Sequence, residues 1–462
     1  MKICLVAHGY PPELVGGTES SVQGLAQALA ARGDEVLVVA GTLECADGFR
    51  ISESMDGPIR VIRLHRGDPY FDHWQKSDSV WASDRLREIL SAERPDVLHV
   101  HHWIRLSRDL VNAAALEGVP AVVTLHDHWS TCLVTFRVRP DSLEFCRVKL
   151  APDPCLACAQ HVPPRTPWLD LGAQTQALQA HRSDVIRELR LARSVIVPSA
   201  SHALAVREAL GLSEAECPLR VVSPGRELSL ERAPALAPRS ATDPLLLGAW
   251  GHLHPLKGQD LMIDALHRMQ HKDRVELHLA GGEPEPGFAA RVRSLATGLK
   301  VTLHGAYRVP ELATHAVSRV HAMLSATRAD ESWGLVIDEA VALGLPSILP
   351  RSGAFAERLQ EGQGALFYSA RDAAALAALL DRVVLEPELL EAARRRLPAL
   401  AEVAPGVERQ VDELRTIYAE AQAAGPPAVR EEDSPSGPER AASQARWDAQ
   451  MGAASAEELG LD

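Results

Sequence analysis

Short apolar runs alternate along the chain with longer stretches whose hydrophobic positions recur every three to four residues. Residues 2–7 (KICLVA), 35–40 (EVLVVA), 59–64 (IRVIRL), 97–101 (VLHVH), 121–125 (AVVTL) and 194–198 (SVIVP) are near-continuous apolar runs of strand length. Runs of this kind belong to strands buried on both faces, as in a parallel sheet. Between them, Val22, Leu25, Ala26 and Leu29 fall on one face of a helix predicted over 19–32, and helices are expected over 106–117 and 173–192. The alternation breaks at 223–244, which carries Pro224, Pro234, Pro238 and Pro244 without periodicity and reads as a linker. It resumes with strands at 245–250, 275–280, 300–304, 320–324 and 346–349, and a helix is expected over 405–424. The pattern predicts an α/β protein of two tandem doubly wound, Rossmann-like parallel-sheet domains, residues 1–222 and 245–400, then a closing helix in 401–425 and a tail at 426–462. Such sheets bind ligands beyond the carboxyl ends of their strands, so a cleft between them is the default site.

Composition narrows the partner. The 462 residues fit two or three domains. Lys and Arg number 48 against 61 Asp and Glu, a formal charge of −13, which argues against a general nucleic-acid binder. It leaves room for one small phosphate ligand held by a few local groups. No apolar run reaches membrane-spanning length. The opening MKICLVAHGYPPE reads as a buried strand rather than a signal peptide, so the cytoplasm is the expected compartment. The stretch 426–440, rich in Pro, Ala, Glu and Ser, is expected to be disordered.

Three loops carry candidate chemistry. His8-Gly9-Tyr10-Pro11-Pro12 and Gly16-Gly17-Thr18-Glu19 lie between the first strand and first helix, where glycines admit a ligand close to the backbone and the helix N-terminus offers N–H groups. A plain turn with Thr18 as N-cap is the competing reading. Gly251-His252-Leu253-His254-Pro255-Leu256-Lys257-Gly258 is its counterpart in the second half. Lys257 would there stand at a helix start, where the dipole disfavours a cation unless an anion binds. The third loop runs from Arg328 through Asp330, Glu331, Ser332, Trp333 and Gly334 into a helix bearing Glu339. Glu331 precedes the helix and Glu339 lies two turns in, while the N–H groups of Gly334, Leu335 and Val336 face any charge between them. A capped helix with one surface Glu, Asp330 or Ser332 being the cap, is the alternative.

The E-x₇-E spacing, the Lys-Gly loop, the H-G-Y-P-P…G-G-T-E opening and the run AVALGLPSILP at 340–350 together resemble glycosyltransferase family 4, retaining enzymes of the two-domain GT-B fold. The resemblance covers roughly residues 1–400. It implies that Glu339 hydrogen-bonds the ribose of a UDP- or GDP-sugar donor, that Glu331 contacts the transferred sugar, and that Lys257 and the N–H groups of Gly334, Leu335 and Val336 hold the diphosphate. Gly16 and Gly17 would lie against donor and acceptor, and His126 near the reacting sugar. The acceptor would be a glycan or lipid-linked hydroxyl, with peripheral contact at the inner face of a membrane, and no metal cofactor would be required for catalysis. His252 stands where many relatives have Arg, and Ser352-Gly353-Ala354 where they often show a Gly pair. A protonated His252 or Arg328 would be the substitute cation. Two rivals stay open: a sugar-nucleotide epimerase, and a catalytically silent homologue acting as a binding partner, which His252 keeps in play.

Other clusters lie outside these loops. Cys132-x₁₃-Cys146-x₈-Cys155-x₂-Cys158 is a candidate structural Zn²⁺ site, with free buried thiols as the other reading. His99, His101 and His102 surround a strand end and are structural residues or, less readily, metal or acceptor ligands. Trp129 is a candidate for stacking on a sugar or for packing. Arg182, Arg187, Arg190 and Arg193, interleaved with Asp184 and Glu188, read as a solvated helix face.

Overall fold

The structure is a computed structural model that describes residues 1–429, apart from 69–73, 75–78, 162–170, 227, 229, 231, 233–235 and 285. The tail expected at 426–462 therefore lies almost entirely outside the described residues.

The first half is an eight-stranded sheet. Its strands are β1 (Lys2–Ala7), β2 (Glu35–Ala40), β3 (Arg50–Asp56), β4 (Ile59–His65), β5 (Val97–Val100), β6 (Ala121–Thr124), β7 (Ser194–Val197) and β8 (Leu219–Val221), in the order β3-β4-β2-β1-β5-β6-β7-β8. β1 pairs in parallel with β2 on one side (Ile3 opposite Val36) and with β5 on the other (Ile3 opposite Val97), so the strand order reverses there. Every apolar run predicted as a strand in this half is one. β3 is an addition and pairs antiparallel to β4 at the sheet edge. Its sequence RISESMD is largely exposed and has no apolar run to mark it.

The second half is a seven-stranded sheet. β9 (Leu245–Trp250), β10 (Val275–Ala280), β11 (Lys300–Leu303), β12 (Ala322–Leu324), β13 (Ser347–Pro350), β14 (Gln360–Glu361) and β15 (Gly364–Tyr368) run in the order β11-β10-β9-β12-β13-β15-β14. The order reverses at β9, between β10 and β12. The Lys257 loop follows β9 and the Glu331 loop follows β12, so two adjacent strands deliver both loops to the switch point of this sheet.

Alternation along β1 shows how the first sheet is covered. Cys4 and Val6 join the core on one face, and Ile3, Leu5 and Ala7 join the core on the other. The second core also takes Val407, Val411, Leu414, Ile417, Tyr418 and Ala421 from the final helix, Val407–Ala424. The chain thus returns to the first sheet with this helix. Each of the helix's buried Val, Leu and Ile side chains contributes about 1.5–3 kcal/mol. Tyr418 also places its hydroxyl 2.7 Å from His99 Nδ1, satisfying a polar tip that burial would otherwise strand. The two domains are therefore crossed twice, by the linker and by the segment leading into the final helix. Arg239, in the linker, donates to the carbonyls of Val383 and Val384 at the end of the helix Ala373–Leu385, which anchors the linker's second part to the second domain.

Candidate active site

Short backbone devices hold each loop in place. After β9 the chain makes a 3₁₀ turn, Pro255–Lys257, in which His254 Nδ1 accepts from the Leu256 N–H at 3.2 Å. Gly258 follows at φ +72°, and a Cβ there would lie 1.9 Å from the Ala326 carbonyl oxygen, so only glycine lets the loop pack under the end of β12. After β12, Gly334 takes φ +85° as the N-cap position of the helix Leu335–Ala342, with the Phe355 ring 2.2 Å from where its Cβ would be. No side chain caps this helix. The two residues expected to cap it are engaged elsewhere. Ser332 Oγ donates across the cleft to the His126 carbonyl at 2.5 Å, and Asp330 binds Arg371 at 3.0 Å. The turn is locked instead by Arg358, which lies 3.6 Å over the Trp333 ring, bonds the Trp333 and Gly334 carbonyls and pairs with the buried Asp338.

These loops bring Lys257 and Glu331 together, with Nζ 2.7 Å from Oε1. Thr327 Oγ1 donates to the same oxygen at 3.1 Å. Burial pushes the Glu331 carboxyl up, but Lys257 and the Thr327 hydroxyl outweigh it and leave the group below the usual carboxylate range. Glu339 lies deeper, 3% exposed. Arg226 Nη1 reaches its Oε1 at 2.8 Å and Trp250 Nε1 its Oε2 at 2.8 Å. Burial wins here, and the Glu339 carboxyl is raised. The two carboxylates of the E-x₇-E pattern therefore occupy different environments, one at the cleft and one in a side-chain cage.

His252 is exposed at the cleft, yet partial desolvation followed by the charge of Lys257 lowers its pKa, so the free protein holds it neutral at pH 7. Arg328 does not replace the missing Arg. It grips Asp260 with two hydrogen bonds of 2.7 and 3.1 Å and also bonds the Pro255 carbonyl, so it braces the Lys257 loop from behind. Ser352 is the N-cap position of the helix Gly353–Arg358, and a Cβ on Gly353 would lie 2.7 Å from the Glu331 carbonyl oxygen.

The opposite wall comes from the first sheet. The first helix begins at Gly17 with Gly16 as N-cap, so Thr18 is not the cap. A Cβ on Gly17 would stand 3.4 Å from Leu335 Cδ1, which sets the glycine pair directly against the helix start of the second domain. Glu19, named in the glycine loop but given no role there, is buried and bonds His8 Nε2 at 2.7 Å. His126 follows β6, with Nε2 2.9 Å from His101 Nδ1; burial holds its pKa down at about 4. His102 Nε2 stands 3.5 Å from Asp127 Oδ2. The domains also join through Ser199 Oγ to the Ser332 carbonyl at 2.7 Å, and through Glu357, which accepts from the Ala200 and Ser201 N–H groups. Two openings flank the centre. One of about 180 Å³ lies beside Glu331 and is lined by Phe145, Arg147, His128 and His202. One of about 500 Å³ lies between Gly17, Ser20, Leu335 and Arg226.

Several candidates fall away from the site. Trp129 is buried and stacks on Trp103 with ring centroids 5.8 Å apart, which makes it core packing. His99 is bonded to Thr124 Oγ1 at 2.8 Å as well as to Tyr418, a structural arrangement. The Arg182–Arg193 stretch is not a solvated face. Glu188 is fully buried and accepts from the Val111 and Asn112 N–H groups at 2.7 and 3.1 Å, Asp184 is buried beside Arg187 and Arg108, and Arg182 bonds the Leu210 carbonyl. Arg190 and Arg193 are the exposed members. Cys132, Cys146, Cys155 and Cys158 do line one small cavity of about 20 Å³. Among the described residues, however, no group of three or more His, Cys, Asp or Glu is placed to hold a metal ion. Likewise, no described helix is long and apolar enough to cross a membrane.

Comparison with known proteins matches this geometry to one family. The model for glycosyltransferase family 4 matches residues 15–230 and that for glycosyl transferases group 1 matches residues 244–386. A glycogen synthase from Mycobacterium tuberculosis is 26% identical over 428 residues, 86% of this chain and 90% of that protein. A phosphatidyl-myo-inositol mannosyltransferase from Mycobacterium leprae is 28% identical over 377 residues, 80% of this chain and 83% of that protein. Among solved structures, sucrose-phosphate synthase from Thermosynechococcus elongatus superposes with a TM-score of 0.63 at 20% identity, covering 92% of this chain and 99% of that one. HepE from Anabaena, solved with UDP and glucose, gives 0.59 at 16% identity, covering 91% and 99%. These structural likenesses establish the fold. The chain is a member of glycosyltransferase family 4, a glycosyltransferase of the two-domain GT-B fold.

Proposed function

We propose that this enzyme transfers a sugar from a nucleotide-diphosphate sugar, UDP- or GDP-linked, to a hydroxyl acceptor with retention of configuration, in glycan, polysaccharide or glycolipid synthesis. The observation that carries the reading is the Lys257–Glu331 pair at the mouth of an uncapped helix N-terminus, at the sheet's switch point.

The chemistry follows from what a departing nucleotide diphosphate needs. As the bond to the anomeric carbon breaks, negative charge grows on the leaving phosphate oxygen. Lys257 and the N–H groups of Gly334, Leu335 and Val336 would meet that charge, and fixed donors of this kind stabilise developing charge without reorganising. This is the work a divalent cation does in many phosphate sites, and the proposed mechanism does not call on one. The acidic Glu331, ionised and beside Lys257, would accept hydroxyls of the transferred sugar. Glu339 would accept the ribose hydroxyls. His126 and the opening beside Glu331 would form the acceptor side, so that the acceptor oxygen enters on the face the diphosphate leaves and its proton passes to the departing phosphate oxygen. No side chain is assigned as covalent nucleophile. Support for a nucleotide donor comes from HepE, solved with UDP-glucose, and from Arabidopsis thaliana starch synthase IV, solved with ADP and acarbose.

The epimerase alternative falls with the family assignment. The silent homologue keeps one specific observation, the neutral His252 in place of an arginine. A panel of UDP-, GDP- and ADP-sugars, assayed for released nucleotide and for ligand-induced thermal shift, separates the two. Release with at least one donor supports transfer. No release and no shift with any donor would leave only a binding partner.

A further inference from the structure

Arg226 lies in none of the four motifs that carry the family resemblance, yet it makes a direct polar contact to Glu339 from outside that residue's own domain. It sits in the linker just after β8, at the first of the two crossings between the domains. Its backbone is fixed by the second crossing. The Arg226 N–H donates to the Pro405 carbonyl at 3.3 Å, and the Gly225 N–H donates to Gln410 Oε1 at 3.0 Å. A Cβ on Gly225 would lie 2.5 Å from Val407 Cα, so the linker is pressed against the start of the final helix. From this anchor the guanidinium reaches Glu339 Oε1 at 2.8 Å, with its own side chain 23% exposed, and it lines the 500 Å³ opening toward Gly17 and Leu335.

We propose that Arg226 is a positioning residue of the donor site: it keeps the buried Glu339 carboxylate ionised and aimed, and ties it to the hinge. The inference rests on the reading of Glu339 as the ribose ligand. A carboxylate offers about four acceptor positions. Arg226 and Trp250 take one on each oxygen, which leaves two for a pair of ribose hydroxyls. Hydrogen bonds to an ionised carboxylate are about twice as strong as those to a neutral partner. Without a counter-charge, burial would favour the protonated acid, which is a poorer acceptor.

The other groups facing Glu339 cannot supply that charge. Trp250 is neutral. Tyr307, in the loop after β11, has its own pKa raised by burial and then by Glu339, so it is a neutral phenol. Asp338, the neighbour on the same helix, is of like charge and is itself paired with Arg358. Arg226 is the cation in direct contact.

The test is binding of UDP, GDP and ADP, measured by calorimetry from pH 6 to 9, to wild type, Arg226→Met, Arg226→Lys, Glu339→Gln and the double variant Arg226→Met/Glu339→Gln. Arg226→Met should weaken the preferred nucleotide at least tenfold at pH 7 and recover affinity as pH rises and Glu339 ionises. Arg226→Lys should keep the wild-type pH profile with a smaller loss, and it serves if the Met variant does not fold. The double variant should bind no more weakly than Glu339→Gln alone. Arg226→Met binding as tightly as wild type, or more weakly by the same factor at every pH, would overturn the proposal. Glu339→Gln binding like wild type would instead remove the ribose reading beneath it.

Discussion

Replacing Gly334 with Ala tests whether the helix N-terminus at the reaction centre is built as described. Two costs are expected. The residue sits at φ +85°, and a left-handed conformation costs a non-glycine residue about 1–2 kcal/mol. The new methyl would also fall 2.2 Å from Phe355 Cε1, on a ring that is 1% exposed and cannot move freely. Overpacking of this kind costs about 1–3 kcal/mol. The sum is about 2–5 kcal/mol. Gly298→Ala supplies the control, since Gly298 has φ +81° with nothing within 4 Å of the added carbon, and should cost about 1–2 kcal/mol from the backbone alone. Urea unfolding of both variants measures the difference, which isolates the Phe355 contact. Gly334→Ala should also weaken nucleotide binding, because any shift that relieves the clash moves the Leu335 and Val336 N–H groups. Equal stability of the two variants would refute the packing argument, and unchanged nucleotide affinity in a destabilised Gly334→Ala would refute the role of that helix start.

Other consequences follow from the same contacts. Lys257→Met should lower turnover roughly 100- to 1,000-fold, the range for losing one charge-stabilising donor; a loss below tenfold would move the leaving-group role elsewhere. His252→Arg should raise turnover if the neutral imidazole limits the enzyme, and steady-state kinetics with the preferred donor would show it; a fall would mean that His252 has a task of its own. Arg328→Met breaks a buried pair with Asp260 and should cost about 3–5 kcal/mol in urea unfolding. Any folded fraction should bind nucleotide normally, and an affinity loss at full stability would revive Arg328 as a phosphate ligand. Glu331 is held below the ordinary carboxylate range, so the folded protein binds fewer protons there than the unfolded chain. Its stabilisation is complete above the unfolded value near pH 4.5 and is lost as pH falls through the lower folded value. Glu331→Gln should flatten that part of the stability–pH curve, and an unchanged curve would contradict the Lys257 pairing.

Much of the fold was legible because parallel strands buried on both faces leave unbroken apolar runs, as EVLVVA and VELHLA do. Strands without such runs were not legible. β3 is largely exposed and polar, β8 is three mostly exposed residues, and β15 is a short GALFY that starts on a glycine. The final helix could be placed from its periodicity, but nothing in its sequence says that it packs on the first sheet rather than the second. At the site, the loop lysine and the spaced glutamates were legible because helix starts and carboxylates have recognisable local chemistry. What the local pattern could not give was partnership over distance. Ser332 and Asp330 look like caps until the other domain offers the His126 carbonyl and their own domain offers Arg371. Asp184 and Glu188 look solvated until the N-terminus of the helix Leu110–Leu116 and Arg108 bury them. Arg226 lies in an aperiodic linker, where the only signal was an arginine beside Gly225.

The central claim is that the Lys257–Glu331 centre releases a nucleotide diphosphate and keeps the sugar's configuration. Time-resolved proton NMR of donor hydrolysis, with the sugar nucleotide that gives the best release, tests both parts without a known acceptor. The account predicts that the freed sugar first appears in the donor's own anomeric form and that Lys257→Met slows its release roughly 100- to 1,000-fold. A first product of opposite configuration, or release undiminished in Lys257→Met, would contradict it.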